Sequence, residues 1–562
     1  MDLRGKLPEF HSCSPLQVIG LSATSFYGEL PLSIGNLHSL EEFFILDCNF
    51  RGYIPSSFEN LTQLKVLELS YNNFSVQTLS SLPFFGKLTQ LISLKLDGMN
   101  LHGEIPSSIA RLTNLEYLSL HDNQLVGSIP SKLTKLAHLK LLDLSSNKLE
   151  GLIPNSISDL RNIEHLFLRS NSLSGLVKLE MFLMLKHLTT LLLSFNNLTV
   201  LTSNAISNSS LVNLGLASCN LDNFPSFLNN QDRLKRVDLS HNHINGQIPK
   251  SVLNSSVNTL MYLNLSYNSL TSFDQHSVFL PWKHLITLDL SFNMLKGSVP
   301  IPPTYTCAYF ASNNRLVGEI SPLICNLTYL WVLDLSNNNL DGVLPNCLGN
   351  FSNFLEVLNL QNNSLRSHIA ETFTNECKLK FVDLSHNQLH GEVPRSLVNC
   401  TKLEFLDLGN NYICDIFPSW LGTLPLLRVI SLSSNEFHGE VGNPVIGFKH
   451  FPNIHIIDLS HNNFRGKLPS LYFQTWEALK IIDADQATYM LEFSYPTLSK
   501  MHTDMEYLYT LTIHNKGMER LYPKIVQRSD ILLEALFWIK LELIWQQKKR
   551  SSLKIWSGAS LT

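Results

Sequence analysis

A sixteen-residue pattern recurs along this chain and sets what the chain can fold into. In its best form, Leu330–Pro345, it reads LWVLDLSNNNLDGVLP, with the skeleton LxxLxLxxNxLxGxLP. Nineteen copies are found, complete or degraded, and the commonest step between equivalent leucines is 24 residues. One copy cannot bury its own leucines, so neighbouring copies must stack. The chain is therefore predicted to be a repeat solenoid.

The spacing within one copy predicts a short strand followed by a turn. Leu333 and Leu335 alternate with Asp334, which places the leucines in the core and Asp334 on the opposite face. Strands of successive copies are expected to pair in parallel, roughly 4.8 Å apart. The stretch after GxIP, such as Ser108–Leu115, is typical of a short helical or 3₁₀ turn. A wider outer element curves such a stack, so the sheet is expected on a concave face.

An asparagine follows each strand at a fixed distance. Its side-chain amide can bond main-chain groups where the chain turns inward, and repetition turns it into a ladder. Cys48 and Cys219 replace the asparagine in two copies, where we expect buried free thiols. The ladder is predicted from Asn147, Asn242, Asn338, Asn387 and Asn462.

The repeats divide the chain into three parts. Residues 1–483 are predicted to be the solenoid, 484–527 a non-repeat island, and 528–562 an aberrant or helical tail. The first copy starts at the end of a repeat, so we expect a piece of a longer protein, truncated at both ends. No run of about 18 apolar residues occurs, so no membrane-spanning segment is predicted. A formal net charge of −4 gives no general attraction to nucleic acid.

Ten N-x-S/T sequons favour a secreted or luminal environment. Each alone is a weak signal, because an asparagine-rich repeat produces some by chance. The candidate glycosylation sites are Asn60, Asn73, Asn197, Asn208, Asn254, Asn264, Asn326, Asn350, Asn362 and Asn399.

Two cysteine pairs have a spacing close to one repeat. Cys325 and Cys347 are 22 residues apart, and Cys377 and Cys400 are 23 apart. One period places residues side by side on neighbouring turns, within disulfide reach. The spacing is compatible with a disulfide and with a buried free thiol at each of these positions.

No arrangement of residues indicates catalysis. The aspartates of the LDLS phrase belong to the repeat and form no single pocket, and His241, His386 and His461 share no ligand spacing. We therefore expect no enzyme activity, no metal and no cofactor. Binding is expected instead on the concave face, where an aromatic and arginine cluster suits a protein or peptide. The alternative is an ordinary scatter of surface residues. The cluster comprises Tyr117, His121, His165, Phe167 and Arg169.

Several longer phrases resemble one family, the plant leucine-rich-repeat receptor-like proteins, a class that includes cell-surface disease-resistance receptors. They are SIGNLHSLEE, PLICNLTYLWVLDLSNNNLDG and PRSLVNCTKLEFLDLGNNYICDIFPSWLGTLP. The segment YLYTLTIHNKGMERLYPKI, with Tyr509, Lys516 and Gly517, is similar to the island of that family. The resemblance implies a leucine-rich-repeat horseshoe or superhelix, in which the island contacts a ligand or co-receptor.

The same resemblance implies a plasma-membrane receptor with its repeats on the extracellular side. Its ligand would be a protein or peptide, and it would signal in defence through a co-receptor kinase. Three alternatives remain from the sequence. They are a secreted inhibitor of cell-wall-degrading enzymes, a truncated receptor kinase, and a non-functional gene fragment.

Overall fold

The computed structural model describes residues 3–82, 86–202, 209–274, 278–349, 354–442, 450–466, 511–515 and 518–522. By their internal contacts the residues form two units, Met1–Leu295 and Lys296–Thr562. In both units each repeat supplies one short strand to a parallel sheet, as the leucine spacing predicts.

The described residues of the first unit form twelve strands of this main sheet, and strands of neighbouring repeats pair in parallel. They are Val18–Gly20, Glu42–Phe44, Val66–Glu68, Ser93–Lys95, Tyr117–Ser119, Leu141–Asp143, His165–Phe167, Thr190–Leu192, Asn213–Gly215, Arg236–Asp238, Tyr262–Asn264 and Thr287–Asp289.

A second set of strands in the first unit, two to seven residues long, forms small parallel sheets. They are Arg4–Gly5, Ser25–Gly28, Asn49–Gly52, Asn73–Phe74, His102–Glu104, Gln124–Val126, Glu150–Gly151, Ser172–Lys178, Asn197–Leu201, Asn245–Ile248 and Ser269–Phe273. The helical segments are mostly 3₁₀, and most begin after a proline that fixes an extended backbone. They are Leu32–Asn36, Ser56–Asn60, Leu79–Ser81, Ser107–Arg111, Ser131–Lys135, Asn155–Asp159 and Ser226–Asn230, with α-helices at Glu180–Leu183 and Lys250–Asn254.

The described residues of the second unit repeat this plan with seven main strands. They are Ala308–Phe310, Val332–Asp334, Val357–Asn359, Phe381–Asp383, Phe405–Asp407, Val429–Ser431 and Ile456–Asp458. The second set of strands in this unit is Lys296–Gly297, Arg315–Glu319, Asn339–Asp341, His390–Gly391, Tyr412–Ile413, His438–Glu440 and Asn463–Arg465. Its 3₁₀ segments are Pro322–Asn326, Asn346–Gly349, Arg395–Asn399 and Ser419–Thr423.

The core of each unit is a stack of leucines on one side of the main sheet. Leu118, Leu142 and Leu166 lie side by side in register, and all three are fully buried. Each buried leucine contributes roughly 2 kcal/mol relative to an exposed one. The repeat solenoid that the leucine spacing predicts is therefore confirmed.

The asparagine after each strand connects two neighbouring repeats. Asn147 donates from Nδ2 to the Leu120 carbonyl at 2.9 Å and accepts at Oδ1 from the Leu125 N–H at 3.0 Å. A buried polar group must be bonded in this way, because a bare one is costly. Equivalent bonds are made by Asn242, Asn338, Asn387 and Asn462.

The residue before each ladder asparagine has a left-handed backbone. Ser146, His241 and Asn337 all have φ of +53°. This conformation turns the chain inward after the strand, so that the next side chain enters the ladder. Asparagine, aspartate and serine adopt it more readily than bulky side chains do.

One antiparallel hairpin lies in the predicted island, with Leu511–Asn515 paired to Met518–Tyr522. Tyr509, Lys516 and Gly517 lie outside the described residues. The domain boundaries at 483 and 527 also fall there, so both remain predictions.

Candidate recognition surface

The sheet face turned away from the leucine core is called the open face here, and it carries the predicted cluster. Tyr117 and His165 occupy the same position in register, with Leu141 on the strand between them. Tyr117 is 37% exposed. The structure therefore places these two rings on one surface, two strands apart, and not in contact.

His165 and Phe167 are the members of the cluster that touch. Their rings are stacked with centroids 6.1 Å apart and planes 10° from parallel. They alternate with the buried Leu166, which fixes both on the open face. A pair of half-buried aromatic rings on a rigid strand is a suitable anchor for a partner.

His121 and Arg169 lie just beyond the ends of their strands. The Nδ1 atom of His121 is 3.1 Å from Ser145 Oγ and 3.2 Å from the Ser145 carbonyl oxygen. Burial lowers the pKa of Arg236, and the nearby charge of Arg169 lowers it further. The cluster thus continues toward later strands of the first unit.

Sequence reasoning missed the polar and aromatic surface on those later strands. Arg236 lies over the ring of Tyr262, with 4.2 Å from its guanidinium carbon to the ring centroid. Burial raises the pKa of Asp238, which follows in the same strand, while Ser240 donates to that carboxylate at 2.7 Å. The signal was present in the sequence as Arg, Tyr and Asp at alternating strand positions.

The open face of the second unit combines phenylalanines with carboxyl groups. The rings of Phe381 and Phe405 are stacked at 4.3 Å, and Asp383 and Asp407 are partners in register. Burial raises the pKa of both carboxyl groups. Asp334 adds to the shift at Asp383, and Asp383 adds to the shift at Asp407. These aspartates lie in the repeated column that the sequence analysis assigned to structure.

Four of the cysteines form two disulfides. Cys325 bonds Cys347, with Cα atoms 6.1 Å apart, and Cys377 bonds Cys400, with Cα atoms 4.9 Å apart. Each disulfide ties neighbouring repeats together on the side of the 3₁₀ segments. The free thiols are Cys13, Cys48, Cys219, Cys307 and Cys414.

The sequons occupy different environments. Asn264 lies in a main strand of the open face, where its Oδ1 accepts from the N–H and hydroxyl of Ser266. Asn399 donates to the Phe373 carbonyl at 2.8 Å. Asn208 and Asn350 lie outside the described residues. Exposed sequon asparagines are Asn60, Asn73, Asn197, Asn254, Asn326 and Asn362.

No group of three or more His, Cys, Asp or Glu side chains among the described residues is arranged to hold a metal ion. Among the same residues, no helix combines the length and apolar character needed to cross a bilayer.

A stack of parallel strands joined by an asparagine ladder defines a repeat solenoid. Family profiles agree with the repeat type. The profile described as "Leucine rich repeat" matches residues 113–173, the one described as "Leucine Rich repeats (2 copies)" matches 377–422, and a third, "Leucine Rich Repeat", matches 233–255, 329–351, 354–375 and 453–474.

Relatives and solved structures narrow the class. Receptor-like protein 54 of Arabidopsis thaliana is 38% identical over 336 residues, which are 60% of this chain and 41% of that protein. Receptor-like protein 7 of Arabidopsis thaliana is 40% identical over 303 residues, 54% of this chain and 31% of that protein. The chain thus spans less than half the length of these curated relatives.

Solved receptor ectodomains share the fold. The Arabidopsis receptor kinase HAESA, in complex with the peptide hormone IDA and the co-receptor SERK1, matches with a TM-score of 0.61 and 30% identity, over 83% of this chain and 77% of that one. The complex PEPR1-AtPEP1 matches with a TM-score of 0.64 and 27% identity, over 85% of this chain and 73% of that one. This chain belongs to the plant leucine-rich-repeat receptor-like proteins.

Proposed function

We propose that this chain is a ligand-recognition ectodomain that binds a protein or peptide on the open face of its first unit. The observation that carries the proposal is the stacked pair His165 and Phe167, which lies on the same open face as Tyr117 and Arg169. Rigid aromatic anchors bind with little loss of conformational entropy. The comparison with HAESA, a receptor bound to a peptide hormone, supports a peptide as the ligand.

The proposed setting is the extracellular side of the plasma membrane. The exposed sequons and two disulfides suit an oxidising, glycosylating compartment. Signalling would pass through a co-receptor kinase, in line with a solved neighbour that is a complex with SERK1. A role in defence is proposed from the resemblance alone. Recognition, and not catalysis, is the proposed activity.

The proposal is tested by selecting ligands from a displayed library of random peptides. The library is panned against the full chain, and enriched peptides are measured against the Phe167→Ala, Arg169→Ala double variant. Loss of a central aromatic anchor should weaken binding at least about tenfold. The control is Leu152→Ala, which removes an apolar side chain that is 65% exposed and lies outside the main sheet.

The outcomes separate clearly. The proposal predicts tight binding to the wild type and to Leu152→Ala, with weak binding to the double variant. Equal binding to all three proteins, or a library that yields no binder, would contradict peptide recognition on this face.

A further inference from the structure

Four aromatic side chains form a continuous row along one edge of the open face in the first unit. The rings of His241 and Tyr267 are stacked at 4.2 Å, and those of Tyr267 and Phe292 at 4.1 Å. Phe195 contacts His241 edge to face at 5.8 Å. Phe195, Tyr267 and Phe292 each have more than two-fifths of their surface exposed, at 47%, 44% and 42%. These four residues are called the aromatic row.

The members of the aromatic row occupy a backbone position that does not favour them. All four precede a ladder asparagine and have φ between 53° and 56°. One other repeat of the first unit also has an aromatic residue at this position, Tyr71, with φ of 54°. Several others have small polar residues there, namely Asp122, Ser146, Ser170 and Ser218. An exposed aromatic ring at a strained position points to a role other than stability.

A shallow trough borders the aromatic row. Next to the aromatic row, the repeats from Phe195 to Phe292 each place one small buried residue, a serine or an alanine, on the open face. Beyond these small residues lie Asp238, Asn264 and Asp289, which are partners in register on three adjacent strands. The small side chains of the trough are Ser194, Ala217, Ser240, Ser266 and Ser291.

The two carboxyl groups are close to the aromatic row. Burial lowers the pKa of His241, and Asp238 opposes that shift. Burial raises the pKa of Tyr267, and Asp289 adds to that shift. Among the described residues, neither aspartate has an ion pair within 4.0 Å. The trough therefore has an apolar wall on one side and carboxyl groups on the other.

We infer that this trough is the docking strip for an extended basic peptide segment that carries arginine or lysine side chains. The aliphatic stems lie along the aromatic row, and the cationic heads reach Asp238 and Asp289. The same surface already holds one such arrangement internally, since Arg236 packs on Tyr262 beside Asp238. This inference rests on the proposed peptide recognition and adds the chemical class of the ligand.

The test uses short fluorescent peptides and the full chain. One peptide alternates arginine with alanine, and matched peptides alternate glutamine or glutamate with alanine. Fluorescence anisotropy is expected to show the arginine peptide bound at least about tenfold more tightly than the glutamine peptide, and the glutamate peptide not bound. Asp238→Asn with Asp289→Asn should abolish that preference.

A second variant distinguishes a role of the aromatic row in binding from a role in folding stability. Tyr267→Ser with Phe292→Ser places at both positions the residue that Ser146 and Ser170 already provide there with φ of 53° and 54°. The variant is expected to keep or raise the unfolding temperature while it weakens the arginine peptide about tenfold. Asp143→Asn, in the same column of the open face but away from the trough, is the matched control and should bind normally.

Equal affinity for the arginine and glutamine peptides, or unchanged affinity in both double variants, would overturn the inference. The proposed function would stand if library peptides depended on Phe167 and ignored Asp238 and Asp289. Binding of the arginine peptide with no dependence on Phe167 would support the docking strip, while the site centred on His165 is tested by the library peptides alone.

Discussion

Asn242 accepts the main-chain N–H of Leu221 at 2.9 Å from the preceding repeat, while its own amide donates to the Leu216 carbonyl. The Asn242 side chain thus supplies hydrogen-bond partners to main-chain N–H and carbonyl groups that have no main-chain partner at the turn. This relationship recurs through both units and holds the open face in register.

Asn242→Ala tests the energetic role of the ladder. The variant leaves the N–H groups of Leu221 and Cys219 unpaired in the interior, and each costs about 1–3 kcal/mol. The free energy of unfolding, measured by urea denaturation, is expected to fall by roughly 3 kcal/mol. Asn245→Ala removes an exposed asparagine whose bond to the Asp222 carbonyl is 3.3 Å long, and should cost little. An equal loss for both variants would show that the ladder contributes nothing special.

Asp407→Asn is expected to stabilise the protein at neutral pH. Burial and Asp383 raise the pKa of Asp407, so its ionised form is disfavoured in the folded state. The contribution of Asp383 and Asp407 to the free energy of unfolding is largest at low pH. It is lost as the pH rises through their raised pKa values in the folded state. The asparagine keeps an acceptor for the Gly409 N–H, as Asn359 does for Gln361.

Thermal unfolding between pH 4 and pH 8 checks the Asp407 prediction. The variant should have a higher midpoint above pH 7 and a flatter pH dependence, with about 1.4 kcal/mol for each pKa unit removed. Asp122→Asn, at an exposed turn position, is the control. A variant less stable than the wild type at pH 8 would show that the Asp407 charge is stabilising.

Glycan occupancy should follow the environment of each sequon. Asn264 is bonded to Ser266 and lies between Asp238 and Asp289 in register, so a glycan there would break the open face. Glycopeptide mass spectrometry of the secreted protein is expected to find Asn264 bare and the exposed Asn60 and Asn326 occupied. High occupancy at Asn264 would place the open face under a glycan and contradict its use for binding.

Binding of the arginine peptide should strengthen as pH rises through about 6. Burial raises the pKa of Asp289 to about 6, and Asp238 adds to this shift while Ser291 and Ser266 oppose it. Tyr262 and Tyr267 are also coupled to Asp289 and stay neutral in this range. His241, whose pKa burial lowers, stacks on Tyr267, and any charge it gains toward low pH weakens binding of a cationic peptide in the same direction. Anisotropy titrations at pH 5 and pH 7 check the sign. Tighter binding at pH 5 would exclude an ionised Asp289 as the partner of the peptide.

Features that depend on residue spacing within one repeat can be predicted from the sequence. Leu142, Leu166 and Asn147 could be placed because strand alternation and the turn fix their directions within one copy. His165 and Phe167 were predicted to share a face for the same reason, and their rings are stacked. Tyr117 lies two strands away, because equivalent residues of successive repeats are separated by a full strand spacing.

Features that depend on several repeats are missed when each repeat is considered by itself. The aromatic row joins residues more than twenty positions apart, at a backbone position where aromatic rings are not expected. The raised pKa values of Asp383 and Asp407 depend on burial, which alternation alone does not give. A residue-by-residue comparison of the position before each ladder asparagine would have revealed the row.

Photo-crosslinking of a library-selected peptide, followed by mass-spectrometric mapping, tests recognition on the open face most directly. Adducts are expected on open-face residues of the first unit, at Tyr117, His165 or Phe167, or along the aromatic row. Adducts confined to the 3₁₀ segments Ser131–Lys135 and Asn155–Asp159 would contradict it.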